Sequence, residues 1–396
     1  MIKTIYIENF KSIVDLRIEL GSFNVLIGEN GSGKSNIIEA IAFGAAASAD
    51  KLDYEFLGSR GIRVTNPEFM YSAFSNEKKE KIIKLAFKIG DEDHYFTLIN
   101  EINNGKKWID KSKEDLKEMI KILHNVLDRL RKKAIENKTK GNKEKLKGDL
   151  NELENEIIKF ENEISKIPGG IDKISFRSDI SNYVIYSLEQ SSLRKFEETN
   201  QIYPLGIKGE GLFQYIKELA LNTKSKRVLD EIKNNLLLLD WYEDFELPEN
   251  LMSNEFSLKI KDKYLNEKLQ YFDQRSANEG FLFLLFYSTL FISKGTPTFF
   301  AIDNIDTSLN PKLCMQLTKN LAGLAKKHKK QVIVTTQNPA ILDGLNLKDD
   351  NQRLFVVSRN AEGHTRVERI NYNEKRTMKL SEVWTKGFIG GLPENF

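Results

Sequence analysis

The sequence predicts an α/β fold: a mixed sheet flanked by helices, interrupted by an inserted antiparallel coiled-coil hairpin. Three observations predict it. A short continuous apolar run, "FNVLI" (23–27), passes through "GENGSGKS" into the helical "NIIEAIAFGAAA". Far downstream, the apolar runs "TFFAI" (298–302) and "QVIVTT" (331–336) read as strands on either side of a helix at 311–328. Between these halves, Ser112 to about Ile167 contains no proline and carries apolar residues at helical spacing.

At the N-terminus, residues 2–7 and 14–20 alternate apolar and polar, which predicts two antiparallel edge strands. "FNVLI" is the central buried strand. Residues 82–99 read as a hairpin with "GDED" as its turn. In the middle segment Leu146, Leu150, Leu153, Ile157, Phe160, Ile164 and Ile167 recur in alternating steps of four and three, a heptad seam. Leu116, Ile120, Leu123, Leu127 and Leu130 form a comparable face, and "NKTKGNKEK" between the two has the composition of a turn. Arms of roughly 25 residues reach about 37 Å at 1.5 Å per residue. A plain three-helix subdomain is the alternative. The expected division is therefore 1–111 and 169–396 for the two parts of one head, with 112–168 as the coiled-coil excursion. "YVIYSL" (183–188) is strand-like, 203–216 is loop-rich, and "GFLFLLFYSTLFI" (280–292) reads as a buried helix.

The 396 residues suffice for a large buried core, and 30% charged residues nearly cancel to a net +3. Global charge therefore selects no partner. Cys314 is the single cysteine and the four histidines are scattered, which excludes a disulfide framework and a Cys/His metal site. The charged N-terminus does not read as a secretory signal, and the longest apolar stretch is shorter than the ~20 residues a bilayer requires. A soluble cytoplasmic setting is expected.

Gly28 to Ser35 fits G-x-x-x-x-G-K-[ST] between a strand and a helix. Glycines let backbone N–H groups curl around a β-phosphate, and the helix N-terminus adds positive potential. Lys34 supplies a charge for β/γ oxygens, and Ser35 offers a hydroxyl to magnesium. Asn30, Gly31, Ser32 and Gly33 complete the cradle, so ATP and Mg²⁺ are the expected ligands. Asp303, at the end of its apolar strand, is placed to hold the metal.

The stretch "IENFKSI…LGSFNVLIGENGSGKSNIIEAI" resembles the head of the structural-maintenance-of-chromosomes (SMC), RecF and RecN group of ABC-type ATPases. "AIDNIDTSLNPKL", "VIVTTQNPAILDGLNL", "RLFVVSRN", "LGIKGEGLF" and "WTKGFIGGLPENF" are similar to stand-alone ATPases of bacterial anti-phage operons, a neighbourhood that holds the Septu ATPase PtuA, the overcoming-lysogenization-defect nucleases and abortive-infection ATPases. This resemblance implies a signature loop at Ser276, Ala277, Asn278, Glu279 and Gly280, with asparagine at 278 where that group carries glycine. It implies that this loop closes over the ATP of a second head, hence a homodimer. It also implies a separate effector chain, a nuclease, because only about 55 residues follow the strand at 331–336 and its closing turn, which that group uses as a switch. Lys11 is placed near the adenine by the same resemblance. The alternative role is a RecF- or SMC-like DNA-repair ATPase.

Asn304 stands where many relatives carry a catalytic glutamate, and Gln337 where many carry histidine. An amide keeps no proton at neutral pH. Asp306 is the nearby carboxylate that could substitute, and Gln337 could orient water. Three readings stay open: slow hydrolysis, ATP-stabilised clamping without turnover, and ordinary turnover. Residues 129–147 hold nine basic residues against two acidic ones. They form either a cationic tip for DNA or RNA or a solubilising surface. Arg60 and Arg63 read as a surface loop or as phosphate contacts.

Overall fold

The computed structural model describes residues 1–74, 81–101, 107–115, 180–195, 202–247, 258–266 and 268–392, with isolated positions between 117 and 159. The predicted coiled-coil hairpin (112–168), its basic residues 129–147 and its C-terminal boundary lie largely outside the described residues. Residues 111–115 are helical.

The first sheet is built from β1 (Ile2–Phe10), β2 (Ile13–Glu19), β4 (Ile83–Ile89), β5 (Glu92–Glu101) and β6 (Lys107–Asp110), in the order β2-β1-β4-β5-β6 and antiparallel throughout. The alternating pattern of 2–7 therefore belongs to an interior strand, not an edge: β1 pairs with β2 on one side and β4 on the other. An antiparallel sheet with one wet face alternates the same way at its centre as at its margin, so periodicity cannot separate the two.

The second sheet combines β3 (Phe23–Ile27), β7 (Ile185–Tyr186), β10 (Phe299–Ile302), β11 (Gln331–Thr335), β12 (Gln352–Arg359) and β13 (Thr365–Ile370), in the order β13-β12-β3-β11-β10-β7. All its pairs are parallel except β12–β13. β3 thus lies between two C-terminal strands, and both ends of the chain build one sheet. Of the strand-like "YVIYSL" only Ile185–Tyr186 pairs, as a short strand beside β10. A third, two-stranded sheet joins β8 (Tyr242–Glu246) to β9 (Lys259–Asp262).

Helix α1 (Lys34–Ser48) is buried almost all round because it lies between the two large sheets. That position explains its small residues. A Cβ on Gly44 would stand 2.5 Å from the Phe87 ring. Alternate residues of β3 divide between two cores: Leu26 faces α1, while Val25 and Ile27 face the opposite core. α2 (Tyr54–Ser59) follows. α3 (Gln190–Leu193), α4 (Leu212–Leu221), α5 (Lys226–Asn235), α6 (Glu279–Ile292) and α7 (Pro311–Lys327) precede α8 (Leu380–Thr385). The predominantly apolar α6 is buried in the core on the Val25 side of the sheet, as a helix without a polar face must be. Among the described residues no helix is long and apolar enough to cross a membrane.

Candidate nucleotide site

The parallel order β12-β3-β11-β10 brings four C-terminal strand ends to one edge, where open α/β sheets bind ligands. β3 ends at Ile27 and α1 begins at Lys34, so the intervening loop has six residues to reverse direction. Gly33 caps α1 at φ 111°, a conformation closed to most side chains. Gly28 approaches the Val357 carbonyl so closely that a Cβ would lie 2.1 Å from it. Lys34 is buried, and its ammonium donates to the carbonyls of Gly28 at 2.7 Å and Glu29 at 2.8 Å. Burial pushes its pKa down, opposed by the charges of Asp303 and Glu29.

Asp303 follows β10, two strands from β3. The Ser35 hydroxyl donates to its Oδ2 at 3.3 Å, and the Thr335 hydroxyl donates to its Oδ1. Thr335 also accepts the Asn304 N–H at 2.9 Å. Asp306 accepts from Thr336 Oγ1 at 2.6 Å, and its charge helps raise the pKa values of the buried Tyr287 phenol and Cys314 thiol, which burial chiefly sets. Gln337 donates its side-chain amide to Asn30 of the phosphate loop. Asn304 is exposed, with φ 55°. The fold therefore joins Asn30, Lys34, Ser35, Asp303 and Gln337 in one place. Thr335 and Thr336, which orient the two aspartates, escaped the sequence reading. Their only sequence signal is a pair of hydroxyls closing a buried strand.

The donor set fits a magnesium nucleotide. A serine hydroxyl and a carboxylate 3.3 Å apart are hard oxygen ligands of the kind Mg²⁺ takes alongside phosphate, and an ammonium stands beside them. Among the described residues no cluster of three His, Cys, Asp or Glu offers an all-protein metal cage.

The predicted signature loop is held by contacts of its own. Asn278 caps α6, its side chain accepting from the Phe281 N–H at 2.9 Å, with Glu279 in the first turn. Ser276 donates its N–H and its hydroxyl to the Asp273 carboxylate at 3.1 and 3.2 Å. Asn278 and Glu279 line a cavity of about 510 Å³ with Trp241, Ser308, Asn310 and Lys312. Among the described residues no hydrogen bond joins this loop to Lys34 or Asp303. Lys11 and Arg63 converge on the buried Glu39 carboxylate of α1. Burial lowers the Lys11 pKa against the pull of Glu39. Arg60 stacks 4.6 Å over the Phe56 ring.

Residues 23–343 match the protein family described as "AAA domain, putative AbiEii toxin, Type IV TA system". Over 107 residues, 27% of this chain, the sequence is 30% identical to the DNA double-strand break repair Rad50 ATPase of Methanocaldococcus jannaschii, covering 9% of that protein. Over 43 residues, 11% of this chain, it is 49% identical to the DNA replication and repair protein RecF of Pediococcus pentosaceus, covering 12% of it. The chain spans less than half the length of the curated relatives it matches. Among solved structures, an Smc head bound to the C-terminal winged-helix domain of ScpA superposes with a TM-score of 0.51 at 16% identity, over 94% of this chain and 98% of that one. That likeness concerns the fold.

Proposed function

This chain belongs to the AAA-domain family matched over residues 23–343, and from that premise we propose that it is an ATPase of the SMC/Rad50/RecF type, a slow one working as a cytoplasmic homodimer. In this reading it is the sensor or scaffold of a bacterial anti-phage defence system and controls a separate effector chain, a nuclease, as the Septu ATPase PtuA group does by resemblance. The observation that carries the reading is the Ser35–Asp303 contact beside Lys34, followed at 304 by an amide.

Bound ATP would supply the scissile phosphate, and magnesium would supply the charge that stabilises its oxygens. Lys34 is positioned to exchange its two carbonyl partners for phosphate oxygens. Ser35 and Asp303 would hold the metal. Asn304 accepts no proton, Asp306 is tied to Thr336, and Gln337 is left to orient water from beside Asn30. Turnover is therefore slow. The resemblance to two-headed ATPases supports a composite site, with one copy's Ser276 serving the other copy's ATP. Light scattering with and without ATP, for wild type and Lys34→Ala, tests this. ATP should double the mass of the wild type alone; an unchanged mass defeats the dimer.

The matches to Rad50 and RecF favour a second reading, a RecF- or SMC-like DNA-repair ATPase that engages DNA through ATP hydrolysis, with residues 129–147 as the proposed contact to DNA or RNA. Co-purification with the neighbouring gene product separates the two: a nuclease for the first, repair machinery for the second. Salt-dependent DNA binding lost on reversing the lysines of 129–147 would support the repair role.

A further inference from the structure

The β12–β13 hairpin passes the phosphate loop and takes hold of two of its carbonyls. Arg359, at the end of β12, donates Nε–H to the Gly31 carbonyl at 2.7 Å, with its guanidinium 5.2 Å over the Phe74 ring. Thr365, the buried first residue of β13, donates its hydroxyl to the Ser32 carbonyl at 3.0 Å. A carbonyl only accepts, so that bond uses Thr365's single proton. The 2.7 Å contact between the Ser12 and Thr365 hydroxyls must then have Ser12 as donor. Asn36 in turn donates Nδ2–H to Ser12 at 2.7 Å. The result is a one-way relay from Asn36 through Ser12 and Thr365 to the Ser32 carbonyl, with both hydroxyl residues buried.

A trans peptide is planar, with its C=O and N–H pointing in opposite directions. Holding the Ser32 carbonyl toward the hairpin therefore aims the Gly33 N–H away from it. The Gly31 carbonyl, held by Arg359, does the same for the Ser32 N–H, which also makes a long 3.3 Å turn bond to Glu29. The fit is close: a Cβ at position 33 would lie 2.2 Å from Thr365 Oγ1.

We propose that Thr365, assisted by Arg359, is a positioning residue of the nucleotide site. Its hydroxyl presets the Ser32–Gly33 peptide so that the Gly33 amide is already turned toward the phosphates, sparing the reorganisation that binding would otherwise require. The inference rests on the ATP-binding reading.

ATP dissociation constants, KM and kcat would be measured for wild type, Thr365→Val, Thr365→Ser, Arg359→Met and Lys34→Ala. Thr365→Val should weaken ATP binding about tenfold and raise KM alike with kcat retained, while Thr365→Ser, which keeps the hydroxyl, stays within about twofold of wild type. Arg359→Met, an exposed change that leaves the fold intact, should weaken binding about threefold and decides the matter if the valine variant does not fold. Wild-type affinity in Thr365→Val overturns the inference, as does equal weakness in the serine and valine variants. A wild type that binds no ATP removes the ATP-binding reading and this inference together. Binding by wild type and not by Lys34→Ala, with Thr365→Val and Arg359→Met unaffected, overturns the inference alone.

Discussion

Ser35 donates its hydroxyl to Asp303 at 3.3 Å across 268 positions of sequence. The contact exists because β3 and β10 both border β11 in one parallel sheet, so that their C-terminal ends emerge side by side. Only one of the two residues sits beside the phosphate-loop lysine in sequence.

Removing Lys34 and removing Asp303 should therefore have different consequences. Lys34→Ala loses charge-assisted bonds to phosphate and should weaken ATP binding by about 10- to 150-fold with or without magnesium. Asp303→Asn should bind ATP like wild type in EDTA and fail to tighten when magnesium is added. Nucleotide titrations in both conditions check the contrast, and equal behaviour of the two variants would contradict the metal assignment.

Asn304 carries a backbone constraint as well as a chemical one. At φ 55° it occupies the left-handed region, which asparagine tolerates and glutamate resists at a cost of about 1–2 kcal/mol. Asn304→Glu should release phosphate faster than wild type and melt several degrees lower. A folded variant with an unchanged or slower rate would show that the amide does not limit turnover.

Gly44 lies where α1 meets the first sheet. Gly44→Ala places a methyl 2.5 Å from the Phe87 ring, and overpacking of this kind costs about 1–3 kcal/mol despite the better helix propensity of alanine. Chemical denaturation should show the loss, and a compensating Phe87→Leu should recover part of it.

Lys330 gives stability a pH dependence. Burial pushes its ammonium down to about 8, although it donates to Thr296 O and Thr296 Oγ1 at 2.9 Å and to Pro297 O at 3.0 Å. From about pH 8 up to the ordinary lysine value of 10.5, the unfolded chain retains a proton that the folded chain has released. Stability therefore rises with pH across that window. The stability difference between wild type and Lys330→Met should grow in favour of wild type between about pH 7.5 and about pH 9.5. A constant difference would mean that the ammonium titrates normally.

The phosphate loop, the buried strand before it, the apolar run of α6 and the acidic strand end at Asp303 were all legible in the amino-acid order. Each is a contiguous pattern whose spacing carries its own physical meaning. The interior place of β1 was not, because one-sided burial produces the same alternation in any strand of such a sheet. Nor were Thr335, Ser12, Thr365 and Arg359, which are ordinary residues until strand pairing sets their hydroxyls and guanidinium against a carboxylate or a loop carbonyl. Local chemistry set the expectation of a nucleotide; the parallel pairing of distant strands chose which side chains hold the loop that would meet it.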